Sequence, residues 1–233
     1  VKTDKLEQVG ATILIYGDSG TGKTTSAGTL PEGSTLFLDV EGGVASLRGR
    51  KHDAVRVKDD LSNLRELFQW VRLGGDVGKK YKNVVLDSAT ELEQHMLIAL
   101  GSGGKRQGAP ELQHYQIAQY RMREYLRILR DLRDRGVNVV VTALEMQLQM
   151  EQGQAVQRSR SYPMLAKKIA PEVCGLFDVV GHQVISNKDG HEGERFIVLE
   201  ATDRAVGKNR WTDDTFIEAG NLGEFIARIR KGE

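Results

Sequence analysis

The chain has 233 residues, of which 39% are hydrophobic and 28% charged, an ordinary globular composition that fits one large α/β domain and excludes a disordered chain. Its formal net charge of +1 excludes a globally basic surface, so any nucleic-acid contact must come from a local patch. The single cysteine, Cys174, excludes an intramolecular disulfide and a cysteine-rich zinc site, and is expected as a buried small apolar residue.

In chain order, residues 12–16 (TILIY) read as a buried strand running into glycine. The next segment reads as a helix from about 22 to 30, where Pro31 ends it. Residues 34–39 (STLFLD) and 54–57 are further strands. Leu61, Leu64, Phe68 and Val71 recur at helical spacing, with Gly74-Gly75 as the stop. Residues 83–87 (NVVLD) form a buried strand ending in an acid. A helix over 91–100 leads into a glycine-rich loop at 101–110. Residues 115–135 carry the longest helical pattern, apolar on one face and laced with Arg, Glu and Asp on the other, as expected of a core helix with an ion-paired surface. Residues 137–142 (VNVVVT) are a strand, and 147–162 a polar stretch. Residues 178–186 and 195–200 are strands close enough to pair as a hairpin around a turn at 187–193. A last helix covers about 222–230. This alternation predicts an α/β fold: one domain spanning 1–233, its mostly parallel sheet covered by helices on both faces, with a C-terminal antiparallel hairpin. No apolar run approaches the roughly 20 residues of a membrane span, and the N-terminus lacks a signal-peptide pattern. The expectation is a cytoplasmic protein with no membrane partner.

Gly17-Asp18-Ser19-Gly20-Thr21-Gly22-Lys23-Thr24 fits G-x-x-x-x-G-K-[ST] between a strand and a helix. Its glycines let backbone N–H groups turn inward around phosphates. Lys23 would reach the β- and γ-phosphates of ATP, and the Thr24 hydroxyl would ligate Mg²⁺. Asp87, at the end of an apolar strand before Ser88, suits an acid holding Mg²⁺ through water. Asp39 and Glu41 follow the second strand, where a carboxylate could orient and deprotonate the attacking water, and spacing does not separate the two.

The runs Ile15 to Thr25, Leu36-Phe37-Leu38-Asp39-Val40-Glu41-Gly42-Gly43, Val84-Val85-Leu86-Asp87-Ser88 and Val139-Val140-Val141-Thr142 together resemble the RecA-fold ATPases. The resemblance covers roughly residues 10–212. It is most specific toward the compact RecA-like ATPases of bacteriophages, including their single-strand annealing and recombination proteins. It implies that Glu41 is the catalytic base, that the phosphate-contacting run extends to Thr25, and that Thr142 senses the γ-phosphate and relays it to DNA-binding loops. Where RecA has an Asn-Gln pair, this chain has Thr142-Ala143, then Glu145 and Gln147. Lys208-Asn209-Arg210 resembles the "K-x-R" element that RecA-fold hexamers insert into a neighbour's site, which implies a homo-oligomer, ring or filament, with Lys208 and Arg210 acting in trans. Single-stranded DNA, and a single-strand binding protein, are the partners the resemblance implies. In the host of a virus the location would be the host cytoplasm.

For a DNA surface, Arg158, Arg160, Lys167 and Lys168 follow the 137–142 strand, and Tyr162 is placed to stack a base. Lys105 and Arg106 lie in the glycine-rich loop. The leading expectation is therefore a DNA-stimulated ATPase of phage recombination. The alternatives are a nucleotide-dependent switch with little turnover, which would need neither Glu41 as base nor Lys208 and Arg210 as fingers, and a helicase-like ring motor.

Overall fold

The computed structural model of the chain describes residues 9–58, 61–105, 108–150, 158–187 and 189–231, with backbone alone at Met150 and Arg158. The elements are β1 (Thr12–Tyr16), α1 (Lys23–Ala27), β2 (Thr35–Asp39), β3 (Asp53–Arg56), α2 (Leu64–Leu73), β4 (Asn83–Asp87), α3 (Ala89–Ser102), α4 (Leu112–Asp131), β5 (Asn138–Ala143), β6 (Glu145–Met150), β7 (Arg158–Pro163), α5 (Ala170–Leu176), β8 (Val179–Ile185), β9 (Arg195–Val198), β10 (Lys208–Asn209), β11 (Phe216–Glu218) and α6 (Leu222–Lys231). Short 3-10 turns cover Gly43–Leu47 and Leu132–Arg135.

Among the described residues nine strands form one sheet in the order β11-β9-β8-β1-β5-β4-β2-β3, with β10 added antiparallel along β8. The run from β8 to β3 is parallel throughout, and β9 turns back on β8 as the expected antiparallel hairpin. Parallel strands buried on both faces need continuous apolar runs, and β1, β2, β4 and β5 are buried along their whole length. Leu14, Leu38, Leu86 and Val141 point to one face, against Phe68, Leu92, Met122 and Leu129 of α2, α3 and α4. Ile13, Ile15, Phe37 and Val140 point to the other, against Ala27, Phe225 and Ile226 of α1 and α6.

The loop after β1 and the acids after β2 and β4 therefore converge outside the carboxyl ends of adjacent parallel strands, where α/β sheets place their ligands. Several features depart from the sequence reading, among them the short strands β10 and β11, which were not expected. The polar stretch after β5 is a second sheet, in which β6 pairs β7 antiparallel, and residues 151–157 lie outside the described part. The helix α5 was not anticipated; it is seven residues long and holds Cys174 in the core.

Candidate functional site

The phosphate loop joins β1 to α1. Gly22, the residue before α1, has φ 95°, a left-handed conformation that suits glycine. Gly17 and Thr21 are buried while Asp18, Ser19, Gly20 and Thr25 face solvent. Thr21 Oγ1 closes the loop on Asp18 O at 2.9 Å, and Lys23 Nζ donates to Gly17 O at 2.9 Å and Asp18 O at 2.7 Å. Burial holds the Lys23 amine below its ordinary pKa, opposed by the charges of Glu41, Asp87 and Asp18. Gln183 on β8 braces the loop from below, its Nε2 donating to Thr21 O at 3.0 Å and Ser26 Oγ at 2.9 Å.

Asp87 is 1% exposed and sits where three elements meet. Thr24 Oγ1 donates to its Oδ2 at 2.8 Å and Thr142 Oγ1 to its Oδ1 at 2.5 Å. Burial pushes the Asp87 carboxyl above the usual carboxylate range, and these two hydroxyls pull it back. Gly43 brings backbone against the same spot: a Cβ there would stand 2.7 Å from Asp87 Oδ2 and 3.0 Å from Thr24 Oγ1. A hydroxyl and a carboxylate side by side are hard oxygen donors, the set that suits Mg²⁺.

The turn after β2 is hung on the end of β4, with Val40 N and Glu41 N both donating to Asp87 O at 2.8 and 3.2 Å. Here the structure separates the two acids that spacing could not. Asp39 is 4% exposed; its Oδ1 accepts from Gly42 N at 2.8 Å and its Oδ2 from Arg56 Nη1 at 3.2 Å, so it shapes the turn. Glu41 stands at the surface of the crevice, on the turn next to Asp87. Partial burial raises its pKa first and the Asp87 charge second, while Ser88 and Lys23 lower it.

Thr142 is fully buried, so its hydroxyl addresses Asp87 and the carbonyl of Leu86. Three residues on, β6 begins beyond the carboxyl end of β5. Glu145 Oε2 lies 2.8 Å from His182 Nε2, whose ring stacks on Tyr16 at 4.9 Å between centroids. Gln147 Nε2 donates to Glu145 Oε1 at 3.0 Å and Ser161 Oγ at 2.7 Å, and Tyr16 Oη donates to Val206 O at 2.6 Å. This polar network ties the strand that precedes the phosphate loop to the β6–β7 hairpin. His182 and Gln183 carried no motif. Met146 and Leu148 alternating with Gln147 and Gln149 were the period-two signal for the hairpin.

The remaining expected residues lie elsewhere. Lys208 Nζ donates to the carbonyls of Cys174 at 3.5 Å, Gly175 at 3.3 Å and Phe177, capping α5, and burial lowers its pKa. Arg210 Nη1 lies 3.6 Å from Asp178 Oδ1, yet its side chain stays 59% exposed. Both sit by the amino end of β8, across the sheet from the phosphate loop. Lys167 and Lys168 are exposed on the segment before α5. Arg160 donates to Ala205 O at 3.1 Å and braces the hairpin, and Arg158 opens β7. Tyr162 corrects the expectation of a stacking platform: at 6% exposed it packs in the core. Lys105 is exposed, and Arg106 lies outside the described residues. No helix among the described residues is long and apolar enough to cross a membrane.

No curated protein matches this chain in sequence. Among solved structures it is similar to a KaiC-like protein of the hyperthermophilic archaeon Pyrococcus horikoshii OT3, with 19% identity over 82% of this chain and 78% of that one, at a TM-score of 0.43. Residues 9–211 match the family model described as "AAA domain" (AAA_24), a stretch that takes in the phosphate loop, the acidic turn, Asp87 and the K-x-R element. The chain belongs to this family of AAA domains and is a nucleotide-binding P-loop ATPase by fold and site.

Proposed function

We propose that this protein hydrolyses ATP with Mg²⁺ at a site shared between subunits, binds single-stranded DNA, and promotes annealing or strand exchange in DNA recombination of the bacteriophage type. The observation that carries the DNA reading is the continuous path from Asp87 through Thr142 along β5 to Glu145 and the β6–β7 hairpin. A change at the phosphates has a short, packed route to the β6–β7 pair.

In this reading the loop amides from Gly17 to Thr25 wrap the phosphates and Lys23 swings from its own loop carbonyls to the β- and γ-oxygens. Mg²⁺, when bound, would neutralise charge on the β- and γ-phosphates, held by Thr24 directly and by Asp87 through water. Glu41 takes the proton from the attacking water, a role favoured by the burial and the Asp87 charge that raise its pKa. Arg210 of a neighbouring subunit supplies the cation that offsets charge on the transferring phosphoryl group, and Lys208 holds its strand in place. Thr142 keeps Asp87 oriented. Lys167, Lys168 and Arg158 meet the DNA backbone, with Arg160 holding the hairpin that carries Arg158. A single-strand binding protein would then be the source of the DNA to be annealed.

The test is fluorescence anisotropy of a labelled single-stranded oligonucleotide, with ADP, a non-hydrolysable ATP analogue or no nucleotide. The reading expects the triphosphate form to bind more tightly, with affinity falling as salt rises. Equal affinity in all three states would leave the nucleotide-dependent switch acting on protein partners as the better account. Strand-separating activity without annealing would favour the ring motor.

A further inference from the structure

Arg195 opens β9 opposite Ile185 of β8, and the alternation of that ladder puts its side chain on the same face as Ile197 and Gln183, the face that carries α1. There it lies along the phosphate loop. A Cβ on Gly22 would stand 3.0 Å from Arg195 Cδ and 2.9 Å from its Nε. Among the described residues Arg195 has no carboxylate partner, its chain neighbour Glu194 being paired with His191 at 2.9 Å. Its guanidinium is always charged, and it stands against Gly22, the residue that precedes Lys23 in the phosphate loop. Positive charge gathered this way is unfavourable by itself and favourable once an anion joins it. Gln183, 1% exposed, holds the same end of the loop: its Nε2 donates to Thr21 O and Ser26 Oγ and would stand 3.5 Å from a Cβ on Gly22, so the backbone that Arg195 lies against is fixed in place.

We propose that Arg195 is a phosphate-binding residue acting in cis, pairing with oxygens of the nucleotide's phosphate chain at the Gly22 end of the loop. The inference rests on the phosphate-loop reading and extends it. The sheet order puts Arg195 and the acids on opposite sides of β1. Asp87, Gly43 and Glu41 approach from the β4 and β2 side, which is the γ-phosphate and metal side. Arg195 comes from the β8–β9 side, across β1, and so addresses the phosphates that ADP keeps.

The test compares Kd for ADP and for a non-hydrolysable ATP analogue in wild type, Arg195→Ala, Arg195→Met, Arg195→Lys and Lys23→Ala, with unfolding temperatures measured without nucleotide. A charged hydrogen bond lost from both nucleotides weakens each by roughly ten- to a hundredfold in the Ala and Met variants. Lys, with charge but no fork, falls between. KM for ATP rises in parallel, and the unfolding temperatures stay together. Wild-type ADP affinity in Arg195→Met would overturn the proposal, because the aliphatic stem resting on Gly22 would then suffice. Wild-type ADP affinity in Arg195→Ala would overturn it outright. Lys23→Ala separates the two levels: if it too binds ADP normally, the phosphate-loop reading fails and takes this proposal with it.

Discussion

Thr24 Oγ1 donates to Asp87 Oδ2 at 2.8 Å, joining the first turn of α1 to the end of β4 across 63 residues of sequence. The pair is the seam at which the phosphate loop and the acidic strand end become one site, and Gly43 lies against both partners. Gly43→Ala would place a methyl group 2.7 Å from the Asp87 carboxylate and 3.0 Å from the hydroxyl. The expected outcome is a folded protein with Mg²⁺-dependent nucleotide affinity reduced about tenfold or more, measured by titration with and without the metal. Unchanged affinity would show that the seam does not serve the metal.

Glu41→Gln removes a base while keeping shape and hydrogen bonding. Turnover should fall by about 10² to 10⁴, with ATP still bound. Burial and the Asp87 charge raise the wild-type pKa, so the group is ionised above that value and protonated as pH falls through it. The acid limb of the wild-type rate profile should therefore lie above the range of an exposed glutamate. Asp39→Asn, which loosens the turn held by Gly42 and Arg56, should cost stability as well as rate, and a pure loss of rate would return Asp39 to contention as the base.

Lys208 and Arg210 are two residues apart but differently engaged. Lys208→Met strips a cap from α5 and should cost about 1–3 kcal/mol of stability, measured by denaturant unfolding. Arg210→Ala should leave stability nearly unchanged and abolish turnover, because its side chain is 59% exposed and its 3.6 Å contact with Asp178 is long enough to be exchanged for a neighbour's site. Mixing Lys23→Ala with Arg210→Ala subunits should restore part of the rate, since one interface then has both halves intact. Co-assembly with no recovery would contradict the arrangement in trans.

Glu93 on α3 is 4% exposed; Ala166 N donates to its Oε2 at 2.8 Å, Oε1 lacks a partner among the described residues, and burial pushes its pKa from 4.5 up to about 7. A raised native pKa means that the folded state holds the proton more tightly than the unfolded chain. The contribution is full below 4.5 and lost as pH rises through about 7. Glu93→Gln should flatten that dependence and stabilise the protein at about pH 8 by on the order of 3 kcal/mol. Parallel pH-stability curves would contradict the burial argument.

What the sequence made legible is what it keeps contiguous. The phosphate loop, the NVVLD strand and the acidic turn each bring their chemistry within a few residues, and strands buried on both faces announce themselves as apolar runs. Spacing alone did not separate Asp39 from Glu41; the resemblance favoured Glu41, and the different surroundings of the two acids show only in the fold, where Arg56 reaches Asp39 because β3 pairs with β2. The β6–β7 hairpin was hidden by its polarity, since Glu145, Gln147 and Ser161 bond to one another instead of facing a core. Helix α5 is too short for periodicity, and Pro171 within it reads locally as a break. Gln183, His182 and Arg195 reach the site through sheet pairing alone, which no spacing in the chain records.

The most direct measurement is steady-state ATP hydrolysis with and without single-stranded DNA across a range of salt concentrations. The account predicts Mg²⁺-dependent turnover that rises when the DNA is added, a stimulation that fades as salt increases, and no turnover in Lys23→Ala. Turnover identical with and without DNA at every salt concentration would contradict it.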